Sequence, residues 1–178
     1  MNAAQRFAVG RSRAIIEVRR TVRRRPMGDL LQPGTRAPDF EGTNQDGVPI
    51  RLRDFQGKPV VLFFYPEDDT AGCTREACAF RDDTAAFRAA GAVVLGISVQ
   101  DETSHRAFRE KYHLTFDLVA DPDKRITRAY NALGFLGVAK RVTYIIGPDG
   151  TILSAYRTVD PKSHSQEALR ILSEVRQR

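Results

Sequence analysis

Cysteine and histidine are scarce in this chain, and long hydrophobic runs are absent from it. Only two cysteines, Cys73 and Cys78, and three histidines occur among its 178 residues. The longest apolar stretch, around residues 60–64, is far too short to cross a bilayer, and we expect neither a membrane anchor nor a secretion signal. A cysteine pair in such a chain indicates a reducing, cytoplasmic location, where it is more often redox-active than a structural disulfide.

The scarcity of histidine also bears on metal binding. A zinc site needs four ligands, and the three histidines form no ligand-spaced cluster with the two cysteines. We therefore expect no metal. Two inert buried thiols remain an alternative to a reactive pair.

Positive charge is concentrated at the N-terminus. The net charge is +6, yet residues 1–26 contain eight arginines and a single acid, Glu17, so the remainder is close to neutral. We expect residues 1–27 to be a basic, disordered extension, with Met27 as a second possible start. A short amphipathic helix that binds anionic lipid or nucleic acid, or an organelle presequence, is the alternative. Residues 28–178 are expected to form one domain.

Apolar runs and turn signals predict strands alternating with helices. The predicted elements are a hairpin around residues 44–47, a strand at 59–64, a helix to about Ala90 with Gly91 as its C-cap, a strand at 92–99, a helix at 101–112, a strand at 116–120, a short helix at 126–133, a hairpin at 141–156 and a helix at 165–178. This order predicts an α/β fold, a three-layer α/β/α domain with a central mixed sheet. His105 is interpreted as a packed or helix-start residue, not as a base.

The two cysteines lie where a strand gives way to a helix. Backbone N–H groups and the helix dipole at such a turn favour a thiolate. Cys73, Phe80 and Phe87 share one helical face, so we expect Cys73 to be partly covered. Five residues separate Cys73 from Cys78, which places their Cα atoms about 8–9 Å apart in an intact helix. A disulfide needs about 7 Å or less, so a bond between them requires local unwinding.

Residues beside Cys73 suit a reactive thiol. Thr70 can cap the helix and direct its hydroxyl at a group that approaches the sulfur. Pro66 makes the loop rigid and could shield the thiolate from water. Glu76, one turn beyond Cys73, would destabilise a thiolate unless a cation intervenes. The site therefore requires an arginine from elsewhere in the chain.

These residues form a known motif. The pattern Pro66-x-x-x-Thr70-x-x-Cys73, followed by Thr74-x-Glu76, resembles the active-site motif of peroxiredoxins. The Cys-x-x-x-x-Cys spacing resembles that of the bacterioferritin-comigratory, or peroxiredoxin Q, subgroup. The resemblance extends over residues 28–178 and includes the segments 37–40, 54–58, 80–82, 96–98, 104–108 and 141–146.

The resemblance implies a thioredoxin-like fold and a role for each site residue. Cys73 would be the peroxidatic cysteine that reduces hydrogen peroxide or organic hydroperoxides, and Cys78 the resolving cysteine that forms an intramolecular disulfide. Arg141 would reach the thiolate, while Thr70 and the Gly72 amide would hold the peroxide oxygens. A thioredoxin-like protein would reduce the disulfide, without a metal or organic cofactor. The globular part is expected to be monomeric and to bind neither nucleic acid nor membrane.

Two departures from the family pattern affect the surroundings of the site. Ala71 stands where many members have proline, and residues 134–140, which precede Arg141, form a shorter segment than in many members. Two other functions are alternatives. A thiol–disulfide oxidoreductase would need a two-residue spacer between the cysteines, and the spacer here has four residues. A non-catalytic module would act through its arginine-rich tail.

Removal of residues 1–26 separates an enzyme from a tail-driven binder. We expect peroxidase activity to survive the deletion, because the motif lies wholly within residues 28–178. Turnover of hydrogen peroxide by the full-length and shortened chains measures this. Absence of turnover in both chains, together with a salt-sensitive affinity for nucleic acid or lipid that the shortened chain loses, would favour the binding module.

Overall fold

The computed structural model describes residues 30–157, 160–161 and 163–176. The predicted basic extension, residues 1–27, lies outside the described residues. Among the described residues, no helix is both long and apolar enough to cross a membrane.

Strands and helices alternate through the middle of the chain, and an antiparallel hairpin lies on either side of that region. The strands are β1 (Glu41–Asn44), β2 (Pro49–Arg51), β3 (Val60–Phe64), β4 (Val93–Ser98), β5 (Asp117–Ala120), β6 (Val142–Ile146) and β7 (Ile152–Tyr156). The helices are α1 (Ala71–Asp82), α2 (Thr84–Ala89), α3 (Glu102–Tyr112), α4 (Arg125–Ala129) and α5 (His164–Arg176), with a 3₁₀ turn at Leu52–Phe55.

The strands form one mixed sheet in the order β2-β1-β5-β4-β3-β6-β7. The central strands β3, β4 and β5 run parallel, and the other neighbours are antiparallel. The predicted mixed sheet is confirmed. Because β6 runs against β3, the N-terminal end of β6 lies beside the C-terminal end of β3, where the cysteine loop begins.

Alternate side chains of β3 belong to two separate cores. Val60, Leu62 and Phe64 pack on one face of the sheet with residues of α4 and of the segment before β1. Val61 and Phe63 pack on the other face with residues of α1, α2, α3 and α5. This alternation follows from the two-residue repeat of a strand. Helices therefore cover both faces, as the three-layer prediction required.

Two predicted helices differ from the structure. The helix expected to run to Ala90 is interrupted at Asp83, because the Thr84 hydroxyl donates to the carbonyl of Arg81 at 2.6 Å and competes with regular helix bonding. Gly91 does follow the end of α2, with a left-handed φ of 69°. The helix expected at 126–133 stops at Ala129, since Asn131 adopts a left-handed φ of 53°.

Gly96 is required by the packing of the central strands. A Cβ at this position of β4 would lie 2.8 Å from Phe63 Cζ and 2.8 Å from Leu118 Cδ2. We expect Gly96→Ala to lower the free energy of unfolding by about 1–3 kcal/mol, because the methyl overpacks the core. Urea unfolding measures the change, with Ser154→Ala on the edge strand β7 as the control. Equal midpoints for the two variants would contradict the prediction.

Candidate active site

The candidate site lies where the C-terminal end of β3 meets the N-terminal end of β6. Phe64 is paired with Val142 across these strands. The loop after Phe64 leads into α1, and Arg141 directly precedes Val142. The register of the sheet thus brings Arg141 to the cysteine loop, although 68 residues separate it from Cys73 along the chain.

Cys73 is the third residue of α1 and is buried, with 2% of its surface exposed. Arg141 Nη2 donates to its Sγ over 3.4 Å. The guanidinium charge and the positive end of the α1 dipole both lie at the sulfur. The sulfur therefore lies in an electropositive pocket that excludes most water.

Glu76 lies completely buried one turn beyond Cys73, and two groups satisfy its carboxylate. Arg141 Nη1 donates to Oε2, and His164 Nδ1 donates to Oε1. The Thr143 hydroxyl lies 2.6 Å from His164 Nε2 and donates to it. The cation that the sequence analysis required beside Glu76 is thus present, since the same guanidinium contacts Cys73 and Glu76.

His164 is neutral in this arrangement. Burial, reinforced by the charge of Arg141, lowers the pKa of His164 from 6.5 to about 3. A neutral ring with its proton on Nδ1 donates to Glu76 and accepts from Thr143, which satisfies both nitrogens. His164 is not among the site residues predicted from the sequence. A single histidine at the start of the last helix carries no motif that could have revealed this role.

Thr70 occupies the N-cap position of α1, but its hydroxyl does not cap the helix as predicted. The hydroxyl donates to the carbonyl of Glu67 at 3.2 Å, and no side-chain cap bond forms. This bond within the loop forms instead of the expected bond between the hydroxyl and a helix amide. Pro66, which opens the loop, is half-buried.

Gly72 leaves space for the guanidinium. A Cβ at this position would lie 3.2 Å from Arg141 Nη2, the nitrogen that contacts Cys73. The absence of a side chain at residue 72 therefore permits the contact between Arg141 and the sulfur.

Cys78 is half-buried, lies in the same helix as Cys73, and is also a free thiol. The intact helix keeps the two Cα atoms farther apart than a disulfide allows. Both cysteines are free thiols in the structure, and α1 has to unwind before they can form a disulfide.

The loop between β3 and α1 is anchored through Asp68, which the sequence analysis did not select. The buried Asp68 carboxylate accepts from the hydroxyls of Tyr65 and Ser104, each at 2.7 Å, and lies 2.8 Å from His105 Nδ1. Burial and this carboxylate raise the pKa of Tyr65 well above its usual range, so its hydroxyl remains a donor. His105 is buried, as predicted.

A second aspartate attaches the same loop to the other end of α3. Asp69 has a left-handed φ of 58° and accepts from Lys111 Nζ at 2.6 Å and from the Tyr112 hydroxyl. A non-glycine residue with this φ is uncommon, so the two bonds compensate for the strain. α3 therefore holds the loop that positions Cys73.

This arrangement is suited to one kind of chemistry. It contains a buried thiol in the first turn of α1 and a guanidinium that donates to its sulfur. Among the described residues, no group of histidine, cysteine and acidic side chains could hold a metal ion. The site is equipped to stabilise a nucleophilic thiolate and the negative charge that develops when it attacks.

Comparison with known proteins gives a consistent result. The sequence profile of the AhpC/TSA family matches residues 33–155. A chloroplastic peroxiredoxin Q from Gentiana triflora is 42% identical over 145 residues, which cover 80% of this chain and 67% of that protein. The matched residues 33–155 include both cysteines and Arg141.

Solved structures agree with the sequence matches. Peroxidoxin BcpB from Mycobacterium tuberculosis superposes with a TM-score of 0.77 at 32% identity, over 82% of this chain and 98% of that chain. A bacterioferritin comigratory protein from Xanthomonas campestris, studied for alkyl peroxide reduction, superposes with a TM-score of 0.76 at 29% identity, over 81% and 99% of the two chains. The thioredoxin-like fold expected from the sequence is confirmed.

The low pKa of His164 makes stability depend on pH. The unfolded chain protonates this histidine below about pH 6.5, whereas the folded chain keeps it neutral down to about pH 3. The contribution of His164 to the free energy of unfolding is therefore fully present above pH 6.5. Between pH 6.5 and about pH 3 it falls by about 1.4 kcal/mol per pH unit. His164→Asn keeps a donor for Glu76 but does not titrate.

We expect the variant to be less stable than the wild type at neutral pH but to lose less stability on acidification. Urea unfolding of both proteins between neutral pH and about pH 4.5 measures the difference, since other titrating groups are common to both. Parallel stability curves for the two proteins would show that His164 does not titrate as described.

Proposed function

The chain belongs to the AhpC/TSA family of peroxiredoxins and is a thiol peroxidase, and from this we propose that Cys73 is its peroxidatic residue. The observation that carries the proposal is the contact of Arg141 with both the Cys73 sulfur and the buried Glu76 carboxylate. A guanidinium fixed beside the sulfur stabilises the negative charge that moves to the peroxide oxygen when the sulfur attacks.

In the first step, the Cys73 thiolate attacks the terminal oxygen of a hydroperoxide. A sulfur–oxygen bond forms as the oxygen–oxygen bond breaks, so the sulfur is oxidised to a sulfenic acid and the peroxide is reduced. The departing alkoxide or hydroxide takes up a proton and leaves as alcohol or water. Arg141 and the backbone amides of Gly72 and Cys73 stabilise the departing charge. The Thr70 hydroxyl turns from the Glu67 carbonyl to the bound peroxide.

In the second step, the Cys78 thiol condenses with the sulfenic acid. A disulfide and one water molecule form, and α1 unwinds to let the two sulfurs meet. A dithiol protein of the thioredoxin type then reduces the disulfide by thiol–disulfide exchange, which regenerates both thiols. The dithiol supplies the two electrons and the peroxide accepts them, so the cycle needs no bound cofactor.

Hydrogen peroxide and organic hydroperoxides are the proposed substrates. The Xanthomonas campestris relative was studied for alkyl peroxide reduction, which supports the inclusion of organic peroxides. Pairing of both cysteines within one chain is compatible with a monomer, which we propose as the functional unit. The cytoplasm, which keeps thiols reduced, is its proposed location.

Separate replacement of the two cysteines tests these roles. We expect Cys73→Ser to abolish peroxide consumption, because the nucleophile is lost. We expect Cys78→Ser to keep a single oxidation by peroxide but to lose sustained turnover with a thioredoxin system, because no disulfide forms. Stopped-flow measurement of peroxide loss separates the two steps. Wild-type turnover by Cys73→Ser would overturn the mechanism.

A further inference from the structure

Two neighbouring apolar side chains project into water close to the active site. Phe135 is fully exposed, at 101%, and Leu136 is 84% exposed. Among the described residues, the only other exposed large hydrophobic side chain is Val48, at 51%, in the β1–β2 turn. An adjacent phenylalanine and leucine in water are unfavourable unless another apolar phase covers them.

The backbone holds this pair outward. Residues 133–140 form a tight hairpin, here called the Phe-Leu tip, in which Leu133 pairs with Ala139. Gly134 N donates to the carbonyl of Val138 at 2.7 Å, and Gly137 N donates to that of Gly134 at 3.2 Å. Buried residues anchor the base of the hairpin, since Lys140 N donates to the carbonyl of Ala132 at 2.7 Å. The tip is therefore a fixed protrusion.

Two lysines, Lys124 and Lys140, lie at the glycines of the tip. Lys124 Nζ would lie 3.0 Å from a Cβ at Gly137, and Lys140 Cγ would lie 3.6 Å from a Cβ at Gly134. No described carboxylate forms an ion pair with either lysine. An exposed apolar pair beside two lysines matches the interface of an anionic bilayer, where apolar side chains enter the acyl region and lysines contact the headgroups.

We propose that the Phe-Leu tip inserts into the surface of anionic membranes and brings the active site to hydroperoxides of membrane lipids. A protein partner fits these observations less well. Two side chains on a convex point bury far less than the roughly 1,200 Å² of a stable protein interface. The two lysines would also repel their counterparts in a second copy. The proposal replaces the expectation that the globular part does not bind membranes.

The position of the tip links membrane contact to the choice of substrate. The hairpin leads directly into Arg141, whose guanidinium contacts Cys73. An inserted tip therefore places the thiol at the headgroup level, within reach of a polar hydroperoxide group on an acyl chain. This part rests on the proposed function. The Cys73 thiolate attacks the terminal oxygen of the lipid hydroperoxide, and the lipid alcohol is the departing product.

A single tryptophan tests insertion without reference to catalysis. The chain contains no tryptophan, so Phe135→Trp places a unique probe at the tip and Val48→Trp places one at an exposed turn. With vesicles of phosphatidylcholine and phosphatidylglycerol, we expect the emission of Phe135→Trp to shift to the blue and to be quenched by brominated acyl chains. Val48→Trp should show neither effect. An unshifted Phe135→Trp in the presence of excess anionic vesicles overturns the proposal.

This probe also separates the tip from the basic extension. Adsorption through residues 1–27 alone would leave the emission at residue 135 unchanged, even if the protein sedimented with the vesicles. Vesicles of phosphatidylcholine alone should bind at least about tenfold more weakly, because they lack the charge that attracts the two lysines. Equal affinity for neutral and anionic vesicles would contradict the charge-based part of the proposal.

The substrate consequence is tested with Phe135→Ser/Leu136→Ser and the control Val48→Ser. Both proteins should keep wild-type turnover of hydrogen peroxide, because the replaced side chains do not touch the site. On vesicles that contain phospholipid hydroperoxide, the double variant should be at least about tenfold slower, with Val48→Ser unchanged. Equal rates of the double variant and the wild type on vesicles would overturn the proposal. Absence of hydrogen peroxide turnover by the wild type would instead refute the proposed function.

Two outcomes would assign the tip to a protein instead. If the double variant needs more thioredoxin for half-maximal turnover without vesicles, the tip binds the reductant. If the wild type sediments as a dimer and the double variant as a monomer, the tip binds a second copy. Either result overturns the membrane proposal.

Discussion

A negative charge sealed inside the protein determines how the active site is built. Removing a carboxylate such as that of Glu76 from water costs several kcal/mol unless opposite charge and hydrogen bonds compensate. The compensation comes from Arg141, at the start of β6, and from His164, at the start of α5. Three separate elements must therefore meet at one point. Because the other terminal nitrogen of Arg141 contacts Cys73, the neutralisation of Glu76 also fixes the guanidinium on the sulfur.

The same architecture opposes the second half of the proposed cycle. Disulfide formation requires α1 to unwind, yet α1 is held by Phe80, which stacks on Phe63 with ring centroids 4.5 Å apart. Exposing a buried phenylalanine costs about 1.5–3 kcal/mol. The loop before α1 is attached to α3 through Asp68 and Asp69, so unwinding is expected to move the Cys78 end of the helix more than the loop.

Local patterns predicted the order of the elements, because apolar runs, turn glycines and the cysteine motif are all contained in short stretches of sequence. What could not be predicted depends on contacts between distant residues. The break at Asp83 arises from a hydroxyl that competes for a helix carbonyl. The place of His164 in the site depends on how α5 packs against α1. For Arg141, the need for a cation could be inferred, but its position came only from the family resemblance.

The balance between a stable and an unwound α1 has a chemical consequence. A sulfenic acid on Cys73 has two fates, since it can condense with Cys78 or react with a second peroxide to give a sulfinic acid, which thiols do not reduce. A helix held too firmly would delay condensation and favour the second fate. A helix held too weakly would release Glu76 from Arg141 and remove the charge that activates the thiol. The Phe80 packing therefore slows disulfide formation, whereas the Glu76 ion pair supports the attack on peroxide. The stability of α1 must allow both steps.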